Sequence, residues 1–153
     1  GANLGKAQAT VLQAIQDVGA LASTQLVKAS SLYASAPHEA TGPEFVNAVA
    51  MYDTDLLPLE LLDALQNLEK TAGRERSYLN APRTLDLDII FYGDVALNTP
   101  RLTVPHPRWQ ERAFVLVPLA DIAPDWRHPM RGQTVLQMLH ACPQSEIDAV
   151  RPL

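Results

Sequence analysis

Pro82-Arg83-Thr84-Leu85-Asp86-Leu87-Asp88-Ile89-Ile90-Phe91-Tyr92 is the stretch from which the fold is most directly read. From Leu85 the residues alternate, with Leu85, Leu87, Ile89 and Phe91 on one side and Asp86, Asp88 and Ile90 on the other. That period of two predicts a strand over Leu85–Tyr92. Gly93-Asp94 then turns the chain. Upstream, Pro58 suits the first turn of a helix, where its missing N–H is not needed. Leu61, Leu62, Leu65 and Leu68 give that helix an apolar stripe, and Gly73 is placed to end it. Gln66 and Glu69, three apart, look out from one face.

Further out, Phe45 to Tyr52 reads as a strand. Phe45, Asn47, Val49 and Met51 share one face, and Val46, Ala48, Ala50 and Tyr52 share the other. Leu26 to Ser35 suits a second strand, and Pro37 to Pro43 an irregular loop. Ala7 to Leu21 has helical spacing through Val11, Ile15 and Val18, with Leu12 and Leu21, and Gly19 weakens its end. Downstream, Asn98 to Pro107 holds three prolines and is expected to be extended loop. Arg108 to Asp121 mixes short helix and turn, and Thr134 to His140 is one more short helix. The order predicts an α+β domain with helices on one face of an antiparallel sheet. A ferredoxin-like version wants one more strand ahead of the first helix. The sequence opens almost at that helix, without an initiator Met, so that strand is expected to be cut short or absent.

A chain of 153 residues is of single-domain size. Its 47% hydrophobic and 19% charged residues are ordinary for a soluble globular protein. No apolar run approaches the ~18 residues of a membrane span. The start carries no signal-peptide pattern. Cys142 is the single cysteine, which excludes an internal disulfide and a cysteine-based zinc site. The reducing cytoplasm is the compartment this composition suggests, and Cys142 reads as a small hydrophobe near a helix end. The net charge of −5 argues against general nucleic-acid affinity. Yet six of the nine arginines fall between Arg74 and Arg112. Such a cluster in an acidic chain suits a small polyanion held by forked guanidinium groups, or else a salt-bridged surface.

Asp86 and Asp88, two apart on a strand, place their carboxylates on one side about 6.6–6.8 Å apart along the backbone. Magnesium takes hard oxygen ligands and commonly keeps phosphate oxygens and water beside one or two carboxylates. A bare Asp-x-Asp equally describes a solvent-facing strand edge. The arginines at 74, 76, 83, 101 and 112 favour the reading in which acids and guanidiniums share a polyphosphate. His106, fixed between Pro105 and Pro107, either caps a loop carbonyl or donates an N–H to a phosphate. Phe45 and Asn47 would suit a flat heterocycle, stacked on its face and hydrogen-bonded at its edge, although Phe45 alone also fits a core. His38, His128 and His140 have no metal-ligand spacing.

Several segments together resemble the 6-hydroxymethyl-7,8-dihydropterin pyrophosphokinases of folate biosynthesis. They are Gly1 to Gly5, Phe45-Val46-Asn47-Ala48, Gly73-Arg74-Glu75-Arg76, Pro82 to Ile89, and Arg101 to His106 with Arg112-Ala113-Phe114. The resemblance runs from residue 1 to about Pro124. It implies a single ferredoxin-like domain that moves the terminal pyrophosphoryl unit of ATP onto the pterin CH₂OH and releases AMP. It implies two Mg²⁺ ions on Asp86 and Asp88, with Arg74 and Arg83 stabilising the transferring phosphates. Gln66, Arg76, Ile89, Arg101, Thr103, His106 and Arg112 match positions around ATP. Phe45 and Phe114 would sandwich the pterin while Asn47 and the Ser35 region read its edge. The expected partners are these two small molecules, with no nucleic acid or membrane, and the expected state is a cytoplasmic monomer. Phe45 stands where the family often has Tyr, Asn80 lies near a position often aromatic, and Pro107 stands where Tyr is sometimes found. These departures touch loops rather than the paired acids.

Two other readings remain open from sequence. A nucleotidyltransferase with Gly-Ala-Asn near the start and an Asp-x-Asp strand would need a third carboxylate on a later strand. None offers one clearly, since Asp121 and Asp125 sit in a proline-rich tail. A non-catalytic ferredoxin-like ligand-binding module would have no use for metal at Asp86 and Asp88.

Overall fold

A computed structural model describes residues 1–3, 6–36, 43–73 and 85–153. Helix α1 (Ala7–Gly19) buries Val11, Ala14 and Val18 along one stripe and stops at Gly19, the residue that weakens its end, short of the Leu21 to which the spacing ran. Helix α2 (Pro58–Gly73) starts at Pro58, where the Glu60 carboxylate accepts the Leu57 N–H at 2.8 Å, and runs to Gly73 as its spacing predicts.

Between the helices the chain forms a long antiparallel hairpin, broken in both arms. Strands β1 (Thr24–Ala29) and β2 (Tyr33–Ser35) replace the single strand expected over Leu26–Ser35. Strands β3 (Phe45–Asn47) and β4 (Ala50–Thr54) replace the one expected over Phe45–Tyr52. Bulges are the cause. Val27 is an extra residue between the Leu26–Tyr52 and Lys28–Met51 pairs. Ser31 and Leu32 together face Ala48, because Ser30 bonds Val49 while Tyr33 already pairs with Asn47. At that break the Ser30 hydroxyl accepts the Val49 N–H at 2.9 Å and donates to the Ser31 carbonyl at 2.8 Å.

The alternation within the second arm survives the break. Val46 and Ala48 pack with Val11 of α1, and Tyr52 packs with Val18 and with Leu65 of α2. Val49 and Met51 face the other way, onto helices α3 (Ala113–Ile122) and α4 (Val135–His140). Helices therefore cover both faces of the hairpin, not one as expected from sequence. Leu116 and Leu119 of α3 and Val135 of α4 are at most 1% exposed, so the second apolar layer is as dry as the first. Beside it Phe91 stacks on Trp126 at 3.8 Å, with Trp109 and His128 around them.

Leu85–Tyr92 does not join a continuous ladder, contrary to the strand expected there. Its backbone groups are shared among separate partners. The Asp86 N–H and C=O bond Gly1, the Leu87 N–H goes to the Glu69 carboxylate, and the Ile90 C=O accepts from His106. The expected alternation holds as far as Ile90: Leu85 and Ile89 are buried, Asp86 and Asp88 are exposed, and Ile90 packs on the α3 side. It fails at Phe91, which joins Ile90 in the tryptophan cluster instead of following Ile89 toward α2.

The proline-bearing stretch after Asn98 is more ordered than a loop. Strands β5 (Leu97–Asn98) and β6 (Thr103–Val104) form a small hairpin. The Thr99 hydroxyl closes it by accepting the Leu102 N–H and donating to the Leu102 carbonyl, both at 3.0 Å. A 3-10 turn at Trp109–Glu111 leads into α3. Thr134 and Gln137 cap α4 reciprocally. Helix α5 (Gln144–Asp148) and strand β7 (Arg151–Pro152) end the chain, and β7 pairs antiparallel with β2. The architecture is mixed α+β with antiparallel sheets.

Candidate active site

Residues 1–3 lie between the hairpin and the Asp86 segment. Ala2 exchanges both backbone hydrogen bonds with Val46, at 3.0 and 2.7 Å. Gly1 exchanges both with Asp86, each at 2.8 Å. Neighbours in a strand bond to opposite sides, so one short extended piece bridges β3 to the acidic segment. It also sets a cross-strand row, Tyr33–Asn47–Gly1–Asp86, whose side chains share a face. A Cβ on Gly1 would meet the Asn47 Oδ1 at 2.5 Å, which shows how closely that side chain lies across the row. The Asn47 amide nitrogen donates to the Ser35 hydroxyl at 3.1 Å. Ser35 and Asn47, both expected at a pterin edge, are thus brought together, with Phe45 cross-strand from Ser35.

Asp86 and Asp88 are exposed on that face, while Leu85 and Ile89 turn inward. Glu69 of α2 reaches the peptide between them, its Oε2 accepting the Leu87 N–H at 2.9 Å. Sequence reading placed Glu69 beside Gln66 without assigning it a role, and its i+3 spacing from Gln66 was the only available signal. His106 hangs beside the same segment, its N–H bonded to the Ile90 carbonyl at 2.8 Å. Its Nδ1 accepts the Arg108 N–H at 3.2 Å, so in the neutral ring the proton sits on Nε2, a donor. Burial holds its pKa below the ordinary histidine value; Asp88 pulls upward, and Arg112 and Arg108 push further down. Neutral donor and acidic pair are therefore within electrostatic reach of each other and of Arg112.

Arg112 lies just ahead of α3 with its guanidinium 5.7 Å from the Phe114 ring centroid. Phe114 is 38% exposed, an open aromatic face on the first turn of a helix that packs over β3. Arg101 and Thr103 come from the β5–β6 hairpin. Arg101 is ion-paired with Asp63 of α2, and Thr103 donates to Asn98 at 3.2 Å. Gln66 is exposed on α2, and Ile89 is buried with its neighbours Val18 and Leu65. Arg74, Arg76 and Arg83 lie outside the described residues.

Among the described residues no three His, Cys, Asp or Glu side chains group to hold a metal. Two exposed carboxylates on one side of a segment still fit magnesium, which fills its remaining positions with water and phosphate oxygens. Asp121, a possible third carboxylate, is otherwise engaged, taking the Tyr33 hydroxyl at 2.6 Å. His128 is a core residue, 2% exposed, and its Nδ1 accepts the Met130 and Arg131 amides at 3.1 and 3.2 Å. Burial raises the pKa of the Cys142 thiol, which suits an inert position after α4. An open polar cleft of about 360 Å³ lined by Ser23, Thr24, Gln25, Asp53, Thr54 and Asp55 holds none of the candidate residues.

Residues 1–124 match the family described as 7,8-dihydro-6-hydroxymethylpterin-pyrophosphokinase (HPPK). A 2-amino-4-hydroxy-6-hydroxymethyldihydropteridine pyrophosphokinase of Pseudomonas aeruginosa is 48% identical over 149 residues, covering 97% of this chain and 91% of that protein. One of the same name from Synechocystis is 41% identical, covering 100% of this chain and 77% of its own length. The folic acid synthesis protein fol1 of Pneumocystis carinii is 39% identical over 99% of this chain, which spans 20% of that longer protein. The chain belongs to the 7,8-dihydro-6-hydroxymethylpterin-pyrophosphokinase family.

Proposed function

We propose that this chain transfers the pyrophosphoryl group of ATP to the hydroxymethyl group of 6-hydroxymethyl-7,8-dihydropterin, releasing AMP, as a step in folate biosynthesis. The observation that carries this reading is the row through Gly1. It sets Asn47, the residue that would read the pterin edge, in register with Asp86, the residue that would hold metal. Pterin and triphosphate can then meet on one face of the sheet.

In the reaction the pterin hydroxymethyl oxygen forms a bond to the β-phosphorus. The bond from that phosphorus to the α,β-bridging oxygen breaks, and AMP leaves with the oxygen. Two Mg²⁺ ions held by Asp86 and Asp88 would neutralise phosphate charge and make the hydroxyl easier to deprotonate. The chain's own part is positioning and charge stabilisation, which dominate phosphoryl transfer. Phe45 and Phe114 stack the pterin, and Asn47 and Ser35 hydrogen-bond its edge. His106 offers its Nε2–H to a phosphate oxygen. Arg74 and Arg83 stabilise the transferring group, and Gln66, Arg76, Ile89, Arg101, Thr103 and Arg112 hold the rest of ATP.

The same reading makes residues 1–153 one ferredoxin-like domain, whose central strand position is held by residues 1–3, acting as a cytoplasmic monomer. No helix among the described residues is long and apolar enough to cross a membrane. Incubation with ATP, magnesium and the reduced hydroxymethyl-pterin should yield AMP and the pyrophosphorylated pterin. Free pyrophosphate in place of AMP would make the chain a nucleotidyltransferase, and no turnover at all would leave a binding module.

A further inference from the structure

The family match ends at residue 124, yet the chain's last strand returns to the sheet whose other strands carry the residues proposed to bind pterin. Strand β7 pairs with β2, setting Arg151 opposite Ala34 and Pro152 opposite Tyr33. β2 in turn pairs with β3, setting Ala34 opposite Val46 and Ser35 opposite Phe45. The Leu153 N–H adds a bond to the Leu32 carbonyl at 3.0 Å. The strand bearing Ser35 is therefore held on both sides, by β3 and by β7.

The side chain of Arg151 then crosses β2. Its Nη2 donates to both carboxylate oxygens of Glu44, at 2.7 and 2.5 Å, across 107 residues of sequence. By strand alternation Arg151, Ala34 and Val46 share one face of this sheet, and Glu44, two residues before Val46, falls on it too. Phe45 and Asn47 point to the opposite face. The ion pair thus spans the back of the hairpin where β2 ends, directly behind the pair Ser35–Phe45. It ties the backbone on either side of that pair to a strand that itself carries no candidate ligand contact.

We propose that Arg151 and Glu44 are positioning residues for the pterin: their ion pair fixes the backbone that aims Phe45 and Ser35. The inference rests on the reading of Phe45, Ser35 and Asn47 as the pterin subsite. An exposed ion pair of this kind carries a modest energy, so its effect falls on substrate placement more than on global folding. It acts on one substrate only, because neither residue belongs to the Asp86–Asp88 segment or to the β5–β6 hairpin.

The test uses the full chain with Arg151→Gln, Glu44→Gln, the single reversals Arg151→Glu and Glu44→Arg, and the double reversal. Steady-state kinetics with each substrate varied, direct pterin titration in the presence of a non-hydrolysable ATP analogue, and melting curves are recorded for all. The expected result is a KM for the pterin raised about three- to fivefold in each single variant. KM for ATP and kcat stay near wild type, and the double reversal recovers pterin affinity. Folded single variants with unchanged pterin KM overturn the proposal. So does an equal loss for both substrates, or a folded double reversal that recovers nothing. Failure of the wild-type chain to make AMP would instead refute the proposed function, so the two failures are distinct.

Discussion

The Glu69 carboxylate accepts the backbone N–H of Leu87 at 2.9 Å, so a residue of α2 grips the peptide between Asp86 and Asp88. This contact takes the place of a ladder bond along that segment. Removing it leaves the Leu87 amide without the carboxylate and frees the peptide to rotate. Glu69→Ala is expected to lower kcat about tenfold, because a hydrogen bond to a charged group is among the stronger ones in a protein. Glu69→Gln, which keeps an oxygen acceptor, should retain most of the rate. Equal kcat for the alanine variant and wild type, measured at saturating substrates, would show that the contact does not govern the acids.

Asp88→Asn preserves shape while removing charge. If the pair holds magnesium, turnover should fall roughly a thousandfold, the scale of losing several kcal/mol of transition-state stabilisation. Pterin affinity should change little, because Asn47, Ser35 and Phe45 sit on neighbouring strands. Titration of the pterin and a rate assay across a magnesium series check both halves. A variant that turns over normally removes the metal assignment.

His128 supplies a pH dependence of folding stability. Its pKa is lowered first by burial and then by Arg131. Below the ordinary histidine value of about 6.5 the unfolded chain takes up a proton that the folded one refuses. Stability contributed by this group is full above that pH and declines as pH falls below it, until the lowered folded value is reached. Melting temperatures recorded from pH 8 down to pH 5 (about the range where histidines titrate) should fall, and His128→Gln should flatten that slope. The same slope in the variant would assign the acid sensitivity elsewhere.

Tyr33 and Asp121 tie β2 to the end of α3. Burial, then the hydrogen bond and the charge of Asp121, push the Tyr33 pKa to about 12. Because the folded pKa is raised, the stabilisation is complete below the ordinary tyrosine value and lost as pH climbs toward the folded one. Tyr33→Phe is expected to cost about 1–2 kcal/mol in denaturant melts at neutral pH, as for a charge-assisted bond. Alkaline ultraviolet titration should show one fewer late-ionising tyrosine in the variant. A variant as stable as wild type would reduce the contact to a surface coincidence.

The parts legible in sequence were those that repeat a local rule. Helices α1 and α2 announced themselves by leucine and valine spacing and by Pro58, Gly19 and Gly73. The two sides of the Asp86–Asp88 stretch were readable because apolar and acidic residues cannot exchange faces without burying charge. Bulges defeated the strand boundaries. Nothing about Val27 or Ser31–Leu32 distinguishes an unpaired residue from a paired one until its partner is known. Short helices within Arg108–Asp121 and at Thr134–His140 were legible, but not their place on the second face, because α3 is apolar nearly all round and holds Pro118 and so lacks the stripe that points a helix at a sheet. Of the candidate site, residue identities were legible but adjacency was not. That Asn47 meets Asp86 through Gly1 is a long-range fact, and three of the candidate arginines, 74, 76 and 83, lie outside the described residues.

Strand β7 also shields. With Arg151 and Pro152 in place, the outer rim of β2 is occupied, and the ladder's last position is a proline that has no N–H to offer an intruding strand. Stripped of residues 151–153, the rim would offer unsatisfied amides and carbonyls to any neighbouring chain. Loss of three residues would then show itself as turbidity on storage, in a protein whose Asp86 and Asp88 are untouched.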